Sequence, residues 1–193
     1  MNALVLNVEP LAVTEEEFYQ LCQVNPELRL ERTAQGELVV MAPAGSETGG
    51  RNASITGQLW LWNQQTRLGM TFDSSTGFHL PNGADRSPDA AWIRRDRWEA
   101  LTPEERRGFA PICPDFVIEL RSPNDTLALI QEKMREYLAN GAQLGWLIDP
   151  ELRRVEIYEP GEEVEILVDP DFVSDEPLLP GFRLDLVEIF DVH

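Results

Sequence analysis

Two acids and a single lysine carry the chemistry this sequence can offer. Glu119 lies inside Pro114-Asp115-Phe116-Val117-Ile118-Glu119-Leu120-Arg121-Ser122-Pro123, a short apolar run with Pro near each end, which predicts a buried strand. Alternation places Phe116, Ile118 and Leu120 on one face and Val117, Glu119 and Arg121 on the other. A carboxylate on a central strand is costly unless a cation offsets it. Glu119 is therefore either half of a structural ion pair with an arginine or a metal ligand. Asp89 belongs to a second short strand, Ser87 to Ile93, on one face with Ala91 and Ile93. Two inward carboxylates suit a hard divalent ion such as Mg²⁺, which keeps several of its waters. Such an ion activates a water and offsets charge on a phosphoryl oxygen, and a nearby cation adds to that stabilisation. Lys133 is a candidate for that cation. It is the only lysine in the chain, since the other fifteen of the sixteen basic residues are arginines. It falls at the border of a helix face, where a lysine can equally snorkel to water, so its removal is expected to spare folding.

These residues need elements to hold them. Thr14-Glu15-Glu16-Glu17 has a capping-box pattern ahead of a short helix with Phe18, Leu21 and Cys22 on its apolar edge. Leu28 to Met41 predicts a hairpin about Ala34-Gln35-Gly36, with Glu31 and Glu37 as solvated strand acids. Gly45 to Gly50 predicts a flexible lead into a helix over Asn52 to Arg67, with Ile55, Leu59 and Trp62 at helical spacing. Glu47 stands at its start, where the helix dipole favours a carboxylate, so capping explains it as well as catalysis does. A strand over Met70 to Leu80 follows, then a turn at Pro81-Asn82-Gly83. Thr102-Pro103-Glu104-Glu105 predicts a small capped helix within the connection from Arg94 to Cys113. Beyond the Glu119 strand, Leu127 to Asn140 reads as a helix closed by Gly141, with Leu127, Ile130, Met134, Tyr137 and Leu138 on its apolar face. Gly145 to Pro150 is a further strand, and Arg154–Tyr158 with Val164–Val168 a second hairpin. The order gives an α/β (α+β) fold: one mixed sheet flanked by helices, with extra β-hairpins at both ends.

Composition narrows the function. With 193 residues, 42% hydrophobic and 26% charged, one domain over residues 1–193 is expected, its core at about 47–150. No apolar run approaches the roughly 20 residues of a membrane span, and the first ten residues lack the basic start of a signal peptide. Cys22 and Cys113 form no CxxC or disulfide framework, which suggests reduced thiols and a cytoplasmic location. The formal net charge of −18 repels polyanions at long range. Any nucleic-acid contact must therefore be local.

The ordered set of motifs resembles a known family. Pro88-Asp89, thirty residues before Glu119-Leu120-Arg121, resembles the signature of the PD-(D/E)XK nuclease superfamily. The wider pattern resembles its bacterial Uma-two family of restriction-endonuclease-like proteins. The matching pieces are Glu37 to Met41, Arg86 to Asp89, Pro114 to Pro123, Lys133, Tyr137, Gly141, Trp146 to Pro150, and Leu179-Pro180-Gly181-Phe182-Arg183-Leu184. The resemblance spans roughly residue 14 to the C-terminus. It implies a restriction-endonuclease-like fold and Mg²⁺-dependent cleavage of DNA phosphodiester bonds, with Mn²⁺ as a substitute, by a protein that can act as a homodimer. Carried over by position, Asp89, Glu119 and the Leu120 carbonyl would hold the metal, and Glu47 would supply the first acid of the core. The lysine of the family's Glu-x-Lys motif is Arg121 here, a poor proton acceptor, and Lys133 from the following helix would replace it. A catalytically weak or inactive protein that binds or regulates on the same scaffold is the rival reading, favoured by the charge and by Arg121. A carboxylate-pair hydrolase such as a glycosidase ranks last, because no sugar-stacking aromatic array can be located.

Overall fold

The computed structural model describes residues 4–8, 13–123 and 125–191. In chain order the elements are β1 (Leu4–Leu6), α1 (Glu15–Val24), β2 (Arg29–Arg32), β3 (Leu38–Met41), α2 (Ser46–Thr66), β4 (Gly69–Asp73), β5 (Phe78–His79), β6 (Asp85–Arg86), β7 (Ala90–Arg94), α3 (Arg95–Ala100) and β8 (Phe116–Leu120). They continue with α4 (Leu127–Ala139), β9 (Leu144–Asp149), β10 (Arg154–Tyr158), β11 (Glu165–Val168), β12 (Phe172–Ser174), β13 (Arg183–Asp185) and α5 (Val187–Phe190).

Six strands form the main sheet in the order β11-β10-β9-β8-β7-β4. Its pairings are antiparallel except β8 with β9, which run parallel and are joined through α4. Both central strands are buried along their full length. That explains their near-continuous apolar sequence, because a strand covered on both faces loses the polar alternation of a half-exposed one. One face packs Phe116, Ile118 and Trp146 against Ile55, Leu59 and Trp62 of α2 and against Phe182 of the C-terminal segment. The other packs Val117 and Leu147 against Met134 and Tyr137 of α4. A second sheet, β1-β3-β2-β6-β5, stands beside the first. Its β2–β3 hairpin packs Leu30 and Leu38 on Phe18 of α1. The capping box of α1 forms as the sequence predicts, with Thr14 and Glu17 bonded reciprocally. Among the described residues no helix is long and apolar enough to cross a membrane.

Three expectations are corrected. Helix α2 begins at Ser46, so Gly49 and Gly50 are helical rather than a flexible lead. Interior glycines cost about 1 kcal/mol each, but the first turns are anchored by the buried Thr48 and by Arg51, whose Nε donates to the Ile189 carbonyl at 2.8 Å. The strand expected over Met70 to Leu80 is two strands in different sheets. Asp73 breaks it by accepting from Ser75 N at 3.0 Å, an Asx-type turn that diverts the backbone. Thr102 and Glu105 do exchange their capping bonds, at 2.7 and 3.2 Å, yet no helix follows them. The regular helix in that connection is α3, just upstream.

Candidate active site

The register of β7 on β8 pairs Ala90 with Ile118 and Ala91 with Val117. One step beyond the last pair, Asp89 comes opposite Glu119. The side-chain parity read from the sequence holds: Ala91 and Ile93 of β7 and Val117 of β8 all pack on the α4 side. Asp89 is fixed at both oxygens. Its Oδ2 accepts from Leu120 N at 2.9 Å and its Oδ1 from Asn52 Nδ2 of α2 at 2.9 Å. Burial raises its carboxyl above the ordinary range, although the Leu120 amide and the Lys133 charge oppose that.

Helix α4 completes the cluster. Lys133 and Tyr137 are four residues apart, so they lie one turn from each other on the same face. Both reach Glu119 Oε1, the ammonium at 2.9 Å and the Tyr137 hydroxyl at 3.0 Å. Glu119 Oε2 accepts no hydrogen bond from the described residues. Burial, with the charges of Asp89 and Glu31, pushes the Glu119 carboxyl up to about 7 against the pull of Lys133. Lys133 is itself largely withdrawn from water, which works against its charge. The two glutamates beside it nonetheless hold its ammonium above the ordinary lysine value. It is not the snorkelling lysine that a helix border allows.

Glu31 is the residue the sequence did not disclose. It was expected to be solvated, yet it is 3% exposed and accepts from Lys133 Nζ at 2.7 Å. It also accepts from Ser87 N at 2.9 Å and Arg86 Nη1 at 3.1 Å. Lys133 and Arg86 hold its carboxyl below the usual range despite the burial. Nothing in Arg29-Leu30-Glu31-Arg32 marks a buried acid, since the cover comes from distant residues. The available signal was the unpaired side of the problem, a single lysine at a half-buried position that needs a partner. Glu31 also lies outside the expected core of 47–150.

Arg121 does not join the cluster. It follows the last residue of β8, free of the strand's alternation, and its Nη1 pairs with the buried Asp149 at 2.7 Å. Glu151 lies 3.7 Å from the same atom. Glu47 occupies the first turn of α2 with its side chain largely exposed, 3.9 Å from Arg51 Nη1, and makes no side-chain cap. It lines the same cavity as the acids without contacting them. That cavity, about 960 Å³, lies between the β2–β3 hairpin, the start of α2 and helix α4. Eight acidic side chains line it against four basic ones among the described residues, so it offers a polyanion no general electrostatic attraction.

Among the described residues no group of three or more His, Cys, Asp or Glu side chains is arranged to hold a metal ion. The acids nearest to such a set divide their work. Glu31 spends its oxygens on Lys133, Arg86 and Ser87, which leaves Asp89 and Glu119 as a two-carboxylate pair with Leu120 also lining the cavity. Two carboxylates suit Mg²⁺, which is bound by few protein ligands and retains water. The unbonded Glu119 Oε2 is an oxygen of the kind such an ion requires.

A mixed sheet covered by helices on both faces, with Glu119 on a central strand and Asp89 at the entry to the strand beside it, is a restriction-endonuclease-like fold. In that fold the chain is similar to a crystal structure of "a putative nuclease belonging to DUF820" from Anabaena variabilis ATCC 29413, with a TM-score of 0.75 and 23% identity over 92% of this chain and 97% of that one. The model of the Uma2 family, described as "Putative restriction endonuclease", matches residues 15–187, and the chain belongs to that family. No curated protein matches the sequence.

Proposed function

We propose that the chain is a divalent-cation-dependent endonuclease that hydrolyses DNA phosphodiester bonds, with Mg²⁺ as its ion and Mn²⁺ as a substitute. The observation that carries this reading is the convergence of Asp89, Glu119 and the Lys133 ammonium, which lies 2.9 Å from Glu119. Asp89, Glu119 and the Leu120 carbonyl would hold the ion, with Glu47 at the cavity wall as a more distant acid. A bound divalent ion lowers the pKa of water and offsets charge on a phosphoryl oxygen. The protein's own contribution is placement. Asn52 and the Leu120 amide fix Asp89, and Tyr137 fixes one oxygen of Glu119. Lys133, held protonated, cannot accept a proton from water. It acts as a donor that orients the water or stabilises negative charge as the water oxygen bonds to phosphorus and the ester P–O bond breaks. Arg121, engaged with Asp149, is left a structural part.

The test is cleavage of supercoiled and single-stranded DNA with Mg²⁺ or Mn²⁺, alongside calorimetric titration of the metal. Wild type should cleave, while Asp89→Asn and Glu119→Gln should each lose both cleavage and metal binding. The second reading, a nuclease fold that only binds or regulates, draws on the −18 net charge and the acidic cavity. It gains if DNA binding persists while wild type cleaves no DNA form with either metal.

A further inference from the structure

Lys133 has one ammonium and two jobs' worth of acceptors. Its Nζ lies 2.7 Å from Glu31 Oε1 and 2.9 Å from Glu119 Oε1. The two glutamates differ in what else they do. Glu119 belongs to the acid pair with an oxygen open for a cation. Glu31 accepts from three donors and is fixed from both sides, by the Ser87 amide and by Arg86, which Glu136 Oε2 of α4 anchors in turn at 2.6 Å. We propose that Glu31 is the positioning residue of the site. It holds the Lys133 ammonium aimed at Glu119, so that Glu119 can give its carboxylate to a cation without releasing the lysine.

The chemistry of the two side chains requires such a device. A lysine head sits on a flexible four-carbon stem with three rotatable donors, and an ion drawing on the Glu119 carboxylate would weaken its hold on the ammonium. With Glu31 and Glu119 each taking one N–H, the third remains for the cavity. A buried ion pair is by itself weak evidence for stability, so a purely structural role for Glu31 must be separated by experiment. Its importance for cleavage rests on the nuclease reading above, but the positioning of the lysine does not.

The chain's single lysine makes the separation direct. Ligand-free protein labelled with ¹⁵N-lysine gives one side-chain ammonium signal, which should be visible and slow to exchange in wild type. Glu31→Gln keeps the acceptor oxygen but removes its charge. The signal should shift and its protons should exchange at least about tenfold faster. In the metal-loaded protein kcat should fall by about 10²-fold with KM little changed. Glu31→Asp, which withdraws the carboxylate by one methylene, should move the same signal in the same direction and gives the reading if Glu31→Gln does not fold. Glu156→Gln is the control. Glu156 of β10 is a buried acid that accepts from Gln131 of α4 at 2.9 and 3.0 Å, away from the cavity, and its loss should lower stability without moving the lysine signal. An unchanged signal in folded Glu31→Gln or Glu31→Asp overturns the proposal and assigns the lysine to Glu119 alone. A disturbed signal in a protein whose wild type cleaves no DNA leaves the positioning intact and sinks the nuclease reading instead.

Discussion

Among the described residues, removing the Lys133 side chain takes away the only cationic partner of Glu119 and one of two for Glu31. The sequence places it at a helix border and so predicts little cost to folding, but the structure reverses that. Breaking a buried pair by deleting one partner typically costs about 3–5 kcal/mol, because the remaining charge is stranded. Lys133→Ala should therefore lower the melting temperature at pH 8 and lose about 10²–10³-fold in cleavage rate. Lys133→Arg should recover much of the stability but only part of the rate, since guanidinium brings charge in a different shape. A normal melting profile for Lys133→Ala would contradict the burial seen here. Glu119 supplies a pH test. Its carboxyl is raised from an ordinary 4.5 to about 7 in the folded, metal-free protein. Below pH 4.5 it is protonated in both states and contributes no pH dependence. As pH rises from 4.5 to 7 the unfolded chain ionises first, so this group lowers stability progressively, and the loss is complete above 7. At full titration the effect is on the order of 3 kcal/mol. Denaturant unfolding of Glu119→Gln should lack that decline, and the difference from wild type between pH 4.5 and 8 measures it. Parallel curves would show that the native carboxyl titrates normally. At this scale the sequence disclosed Asp89, Glu119 and Lys133, because each breaks a local rule of pattern or composition. It hid Glu31, whose strand looks ordinary until α4 and Arg86 are folded over it.

Among the elements, α1, α4, the body of α2 and the buried strands were legible from their apolar patterns, whereas α3 and α5 were not. What escaped was decided by contacts far along the chain. Helix α2 starts at Ser46 because Thr48 is buried and Arg51 finds a distant carbonyl in the folded protein, and the strand at 70–80 divides because Asp73 turns the chain. The glycines of α2 invite a direct measurement. A Cβ at Gly57 would meet no heavy atom within 4 Å, and its backbone is helical. Gly57→Ala should stabilise the protein by about 0.5–1 kcal/mol, read by denaturant unfolding, because it restricts the unfolded chain at no steric cost. Gly69→Ala should do the opposite, since its Cβ would come within 2.1 Å of the Ile93 carbonyl oxygen. A stable, unperturbed Gly69→Ala would mean that the β4–β7 edge is looser than described.

For the whole molecule, charge is the governing quantity. A −18 protein with an acidic cavity should repel DNA before any local contact forms. Salt weakens most protein–nucleic acid complexes by restoring counterions, whereas here screening a long-range repulsion should help at first. Association with a single-stranded oligonucleotide, followed by stopped flow using the Asp89→Asn protein, should quicken between about 10 and 100 mM salt, where the Debye length shrinks from roughly 30 to 10 Å. A steep slowing over that range would reveal a local basic track strong enough to outweigh the overall field.

The parallel pair β8–β9 with α4 between them has a consequence for the order in which this site is born. Glu119 and Lys133 belong to one strand–helix–strand segment, so a short chain closure joins them and carries a modest entropic cost. Glu31 meets Lys133 across a separation of 102 residues. Contacts so distant along the chain come late on the folding path, since the closure cost precedes their reward. On that cost alone, the hairpin bearing Glu31 is expected to close on the lysine after Glu119 has met it.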